Sequence, residues 1–343
     1  MRNFSTIAAC LSTAFCVAAG QPLGAYPATR LLSQVSVKSP SGHENLTLFP
    51  LLGRTSTYST YTLLDEAIRS GQVKVQEKDG GQVNTVRMRN AGKTYVFGMA
   101  GEIVSGAKQD RMLQDDVLLP PGSGWLDVPV FCTEHGRWTG STMSFGTRGY
   151  MASGKVRSKA SQTGSQEEVW AEVDAAHAQL NVATPSRAFA KVYEDKDAQE
   201  RARPYIDKLD GLPNLFPGAI GVVVAVGNRI VCVDLFGSSA LFRKMWPKLL
   251  RSYVIDAMQS QAHGRLTAKQ VRRFIRGAAR ARVTSQPTVG AGTLQRLSAA
   301  NASGSALVFR SSVVHLDLFP GSYPETRDGS VPRLDFRRQR TLN

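Results

Sequence analysis

Between Leu46 and Trp138 the apolar residues fall in short extended runs separated by turn formers. LTLFPLL, QVKVQE, QVNTVRMRN, TYVFGMAGEIV, DVLLPPGS and LDVPVFC follow one another with Gly, Pro, Asn and Asp between them. That punctuation predicts strands joined by turns. Val83, Val86 and Met88 do not alternate perfectly, so the register of single strands is left open. LLDEAIRSG breaks the pattern and predicts a helix stopping at Gly71. Short strands this close together predict an antiparallel sandwich or barrel rather than βαβ units.

The spacing then becomes helical. Ser165 followed by Glu168 forms a capping box, and Val169, Val173, Ala176 and Leu180 recur at helical intervals. Ser186 is expected to cap a helix carrying Phe189, Val192 and Tyr193, and residues 195–209 read as a charged helix interrupted at Pro204. AIGVVVAVGNRIVCVDLFG predicts a hairpin turning at Gly227-Asn228. Ser238 caps a helix with Leu241, Phe242, Met245, Leu249, Tyr253 and Ala257 on its apolar face. Thr267 with Gln270 caps another, with Val271, Phe274, Ile275 and Ala278 inward and Lys269, Arg272, Arg273, Arg276 and Arg280 outward. ALVFRSSVVHLDLF predicts a closing hairpin. The class is α+β: an antiparallel, β-rich N-terminal half, then several helices and a C-terminal hairpin–helix portion.

At 343 residues the chain is long enough for a large core, and its 42% hydrophobic content is ordinary for a globular protein. The formal charge of +15 is not, and it implies attraction to polyanions without bearing on fold. MRNFSTIAACLSTAFCVAAGQPLGA has an early arginine, a short apolar segment and small residues behind it. This is the layout of a secretory signal peptide over residues 1–25, and it predicts a periplasmic or secreted protein. Residues 26–45, rich in Pro and Ser, read as a linker; residues 46–320 as one domain; residues 321–343 as a flexible tail. After signal removal no segment has the roughly 20 apolar residues of a membrane helix. Of the four cysteines, Cys132 and Cys232 lie in apolar strand-like settings, where a lone cysteine is usually a small buried hydrophobe. Their spacing does not decide whether they pair.

Two segments share a form that bears on chemistry. GEIVSGAKQDR and FCTEHGRW each end an apolar strand and then present a glutamate and an arginine. If the strands are neighbours, Glu102 and Glu134 emerge at one end of the sheet with Arg111 and Arg137 nearby. Two carboxylates can divide into acid and base when burial raises one pKa. Arginine forks hold phosphate or carboxylate, and Trp138 offers a flat face. Glutamate–arginine pairs at strand ends are also commonly structural, so both readings stand. Gln166 and Trp170 lie one helical turn apart, on a binding face or in the core. The histidines are scattered and no HExxH or paired CxxC occurs, so no metal site is expected, while the cofactor is left unknown. Walker, GxSxG and post-strand GxGxxG motifs are absent too. The basic helix is either a solvated face or a dock for an acidic surface or polymer. The nucleic-acid signal is weak, since no aromatic residues interleave with that charge.

GEIVSGAKQDR, VPVFCTEHGRW and QEEVW, in that order, resemble the signature of the ARPP-1 family, the ADP-ribosylglycohydrolase and rhodanese-phosphatase-superfamily-associated proteins, a domain of unknown function. The likeness extends to LLDEAIRSGQVKVQE, IGVVVAVGNRIVCVDLFG and WPKLLRSYVIDA, covering most of residues 46–260. It implies Gly101, Glu102, Gly106, Gln109, Arg111, Cys132, Glu134, Gly136, Arg137, Trp138, Gln166 and Trp170 as motif positions, and an association with ADP-ribose and phosphate-ester chemistry. At Asp110 the family pattern is often amide-like, so an acid there alters the charge of any pocket. An exported member does not suit a cytoplasmic ADP-ribose role. The expected site has Glu102 and Glu134 as catalytic carboxylates, with Gln109, Arg111, Arg137, Trp138, Gln166 and Trp170 contacting a phosphorylated or nucleotide-like small molecule. The alternative is a non-enzymatic module that binds an anionic envelope polymer or acidic partner.

Overall fold

The valine-rich hairpin predicted at 219–237 sits in the middle of a nine-stranded antiparallel sheet, as strands Ala219–Val226 and Arg229–Phe236. In the computed structural model of the chain, which describes residues 24–54, 60–137 and 142–321, every residue of Ala219–Val226 is buried. Both faces of the sheet are covered, and that explains a strand with no polar alternation. Val222, Val224, Cys232 and Phe236 face Phe242, Met245, Leu249 and Tyr253 of the helix Ser239–Met258. Val223, Ala225, Val233 and Leu235 face Val271 and Ile275 of Ala268–Ala278 and Ala28 and Leu32 of Pro27–Gln34. The turn has Gly227 at a φ of +58°, and an added Cβ would approach Ala262 to 2.7 Å.

Strand Leu46–Leu52 flanks the hairpin on one side and Ser312–Pro320 on the other. The closing hairpin Ala302–Phe309/Ser312–Pro320 turns at Arg310 and Ser311, both at positive φ (49° and 63°), the backbone of a tight hairpin turn.

The β-rich N-terminal half closes into a six-stranded barrel of Val73–Gln82, Thr85–Asn90, Glu102–Gly106, Arg111–Leu113, Leu126–Cys132 and Ser144–Met151. Val73, Val75, Val86, Met88, Val104, Leu113, Val128, Val130 and Phe145 form its apolar cluster. Ile103, Met112 and Phe131, at alternate positions, pack instead with Val156, Ala160, Val169 and Val173 of helices Gly154–Thr163 and Gln166–Leu180. The helix Ser239–Met258 touches both the large sheet and barrel strand Ser144–Met151, so one helix joins the two β systems. A three-stranded sheet of Thr62–Leu63, Val96–Gly98 and Val117–Leu119 lies beside them. The fold is α+β and its sheets are almost wholly antiparallel.

Local expectations fare unevenly. Ser165, Ser238 and Thr267 do cap their helices. Residues 26–45, expected as a linker, instead hold the helix Pro27–Gln34 and the strands Ser36–Val37 and Ser41–His43. Proline at the first helical position favours that helix, and Leu32 packs on the sheet. The helix Lys196–Leu209 runs through Pro204. Both Pro204 and Glu200, whose carbonyl loses its donor there, are exposed, so water can take the lost bond. Ser186 caps nothing; the helix behind it begins only at Ala190. Of the expected signal peptide, residues 1–25, all but residues 24 and 25 lie outside the described residues, as does the expected tail, residues 321–343, from residue 322 on.

Candidate functional site

The hairpin between Glu102–Gly106 and Arg111–Leu113 carries GAKQD at its tip, which puts Asp110 beside the end of strand Leu126–Cys132. Thr133 N–H donates to the Asp110 carbonyl (3.0 Å), and Asp110 N–H donates to Glu134 Oε2 (3.0 Å). Arg137 closes the group. Its Nε donates to Glu134 Oε1 (2.9 Å), its Nη2 to Glu134 Oε2 (2.7 Å) and its Nη1 to the Ala107 carbonyl (2.7 Å). Asp110 Oδ1 lies 3.8 Å from the same Nη2 and accepts from Gly106 N–H (3.0 Å). Two carboxyl groups thus share one guanidinium at the barrel rim, and Arg137 is half-buried.

Their environments differ. Burial, then the neighbouring Glu134 charge, push the Asp110 carboxyl above its ordinary value. The hydrogen bonds of Glu134 raise Arg137 further, fixing it as a cation. Beside them the rings of His135 and Trp170 stack at 4.3 Å with 16° between planes, and Trp170 Nε1 is buried without a hydrogen-bond partner among the described residues.

Behind the rim the chemistry is structural. Arg111 is fully buried; its Nη1 donates to Gln109 Oε1 (3.1 Å), and its Nη2 lies 3.8 Å from Glu77 Oε1. Gln166 grips the end of the barrel strand: Oε1 accepts from Cys132 N–H (2.7 Å) and Nε2 donates to the Cys132 carbonyl (2.9 Å). The Cys132 thiol contacts the Val83 carbonyl at 3.4 Å, and burial pushes its pKa up to about 11, so it is a poor nucleophile. Cys132 and Cys232 are both free and buried.

Glu102 does not join this group. It pairs at the opposite end of its strand, Gly101 N–H bonding the Leu113 carbonyl, about 10 Å along the strand direction from Asp110. There Lys248 Nζ donates to Glu102 Oε1 (2.5 Å) and Asp65 Oδ1 (2.6 Å), while Met99 N–H donates to Glu102 Oε2 (2.7 Å). Burial pushes the Glu102 carboxyl up against the pull of Lys248. Of the residues expected to act together, the fold brings Glu134, Arg137 and Gln109 to one rim with Gln166 and Trp170 close by. It takes Glu102 to a buried triad and Arg111 into the barrel; Trp138 lies outside the described residues. Among the described residues no cluster has the makings of a metal site.

Sequence reasoning noted the charge of Asp110 but did not place it beside Glu134 and Arg137. It also missed a second network between sheet and barrel. Arg157 forks onto Asp234 at 2.9 and 2.8 Å, Tyr253 O–H donates to Asp234 Oδ2 (2.6 Å), and His315 lies between Asp116 (2.8 Å) and Asp234 (3.4 Å). The sign for it was charge inside apolar strands, Asp234 in RIVCVDLFG and His315 in VVHLDLF. All of it is buried, so no ligand reaches it.

Gly101 makes room for that network. At a φ of +89°, an added Cβ would stand 2.5 Å from Arg157 Cδ. Gly101→Ala is expected to cost about 1–3 kcal/mol in backbone strain alone, with displacement of Arg157 adding to it. Urea unfolding of the variant checks this; an unchanged midpoint would refute the close packing of Gly101 on Arg157.

No curated protein and no solved structure matches the chain. A family description does match, that of the ARG and Rhodanese-Phosphatase-superfamily-associated Protein domain, over residues 34–319. That span takes in the barrel, the rim, the Lys248 triad and the buried Arg157 network. The chain belongs to the ARPP-1 family.

Proposed function

We propose that this protein binds a phosphorylated or nucleotide-like small molecule at the barrel rim and hydrolyses it with Asp110 as general acid. The observation that carries the reading is the pair of carboxyl groups on one guanidinium, with Asp110 pushed up by burial and by Glu134. Environments that separate two carboxyl pKa values divide acid from carboxylate. Glu134, clasped by both arms of the Arg137 fork, is a positioning residue: after burial, its neighbouring charge is what raises the Asp110 carboxyl. Arg137 presents its half-buried edge to the ligand's anionic group, and the His135–Trp170 stack supplies a flat wall. Asp110 would donate its proton to the leaving oxygen as a water oxygen bonds in its place, and the proton released by that water returns Asp110 to its acid form. The family name, which links these domains to ADP-ribosylglycohydrolase and phosphatase systems, agrees with that substrate class. The N-terminal segment supports export, and the first residue of the mature secreted protein would establish it.

The test is a thermal-shift screen against nucleotides, ADP-ribose and sugar phosphates, in which a ligand of the native state raises the midpoint by mass action. Asp110→Asn is expected to keep the shift and lower turnover by about 100-fold or more, the usual weight of a general acid. Arg137→Lys, which keeps a charge for Glu134 but loses the fork, is expected to lose the shift. If Arg137→Lys still binds while its stability falls, Arg137 is structural and the rim is not the site.

A further inference from the structure

The helix Ala268–Ala278 carries a stripe of cations that no carboxylate among the described residues pairs with. Lys269, Arg272, Arg273 and Arg276, with Arg280 just past its end, are all exposed, and no described carboxylate lies within ion-pair distance of any of them. The stripe runs about 16 Å at the helical rise. Some surface cations elsewhere are paired, as in Lys78–Asp127, Lys159–Glu168 and Arg187–Asp174. The imbalance is local in sequence as well. Residues 257–321 hold nine Lys and Arg against one acid, the buried Asp317, and so carry eight of the chain's fifteen excess positive charges.

The stripe is also rigid. Val271, Ile275 and Ala278 anchor the helix to the large sheet, Thr267 and Gln270 box its start, and Asn301 Nδ2 donates to the Phe274 carbonyl (3.1 Å). Five like charges held at this spacing repel one another and lower stability, so the face is costly to leave bare. The sequence after residue 321 adds net positive charge, with five arginines against three acids.

We infer that this face docks a linear phosphate polymer, recognised by its repeated charge alone. Cations at successive turns stand about 5.4 Å apart along the axis, a match for charges repeating along one chain rather than for a single anion. The large apolar side chains exposed among the described residues are Trp125, Met143 and Leu215, none of them on this helix. The face therefore has no anchor for inserting into a bilayer and no aromatic platform for stacking bases. It lies on the outer face of the sheet and uses no residue of the barrel rim, so it stands or falls independently of the rim site.

The test uses full-length protein and fluorescently labelled long-chain inorganic polyphosphate, with binding followed by anisotropy across a salt series. The wild type is expected to bind with an affinity that falls steeply with salt, each phosphate contact adding about 0.7 to the log–log slope as on a single strand. Arg272→Gln/Arg273→Gln/Arg276→Gln is expected to bind at least about tenfold more weakly, with the slope reduced by about 2 and a melting midpoint no lower than that of the wild type. Charge reversal at the same three positions should abolish binding. Lys196→Gln/Arg203→Gln/Lys208→Gln, an equal charge loss on an exposed helix elsewhere, should change little. An equal loss in that control would overturn the assignment to this face, and so would unchanged binding by the triple Gln variant. Preference for anionic phosphatidylserine vesicles or for mixed-sequence single-stranded DNA over polyphosphate would overturn the choice of partner.

Discussion

Asp234→Ala is expected to abolish cooperative folding or bring it close to collapse. Asp234 accepts both arms of the Arg157 fork and the Tyr253 hydroxyl, and it faces His315, with every one of these groups buried. Burial alone would raise the Asp234 carboxyl. Arg157 and His315 outweigh it and hold the group well below the usual carboxylate range. Removing one partner of a buried pair leaves the other as an uncompensated charge, at about 3–5 kcal/mol. The Tyr253 hydroxyl, left without an acceptor, adds about 1–3 kcal/mol. Domains of this kind are stable by only about 5–15 kcal/mol. Urea unfolding followed by circular dichroism measures the loss, and a variant within about 1 kcal/mol of wild type would disprove a stabilising role for the network. The Arg157→Met/Asp234→Leu double variant should lose less than the two single losses combined, because no charge is then stranded.

Stability should also fall as pH rises from 6.5 towards 10, chiefly through His315. The imidazole is enclosed by Asp116 and Asp234, with the rings of Phe97 and Phe236 against it. Burial alone would lower its pKa; the two carboxylates reverse that and push it up to about 10. A raised histidine contributes stability that is complete below the unfolded value of 6.5 and is lost as pH passes the folded one. At full linkage the shift amounts to about 5 kcal/mol. Asp317 and Asp256, each pushed up to about 6 mainly by burial, act in the same direction at lower pH. Their share is present below 3.8 and lost as pH rises through about 6. The unfolding midpoint should therefore decline over both windows, and His315→Gln should flatten the upper one. Should that variant fail to fold, the imidazole resonances of the wild type serve instead. A ring that deprotonates near pH 6.5 would sink the assignment.

Much of the fold was legible because it is written at short range. The burial of alternating residues in Val73–Gln82, the caps at Ser165, Ser238 and Thr267, and the turn at Gly227-Asn228 each depend on a few neighbouring residues. The helix Pro27–Gln34 was misread because its composition resembles a linker, and only the sheet beneath Leu32 gives it something to pack on. Similarly, Pro204 breaks a helix only when its freed carbonyl has no water, and exposure cannot be read from the residue itself.

The candidate site divides along the same line. Glu134 and Arg137 are three residues apart, so their pairing follows from local spacing. Asp110 and Glu134 meet across 24 residues because two adjacent barrel strands end together. Glu102, of the same sequence motif, is drawn instead to Lys248, 146 residues away, and Arg157 to Asp234 across 77. Most strands and helices, the caps at Ser165, Ser238 and Thr267, and the excess of positive charge follow from the period and identity of neighbouring side chains, and so could be read along the chain. Which charges are buried together was set by the closing of the barrel against the sheet, because the strength of an ion pair depends on distance and exclusion of water, and packing fixes both.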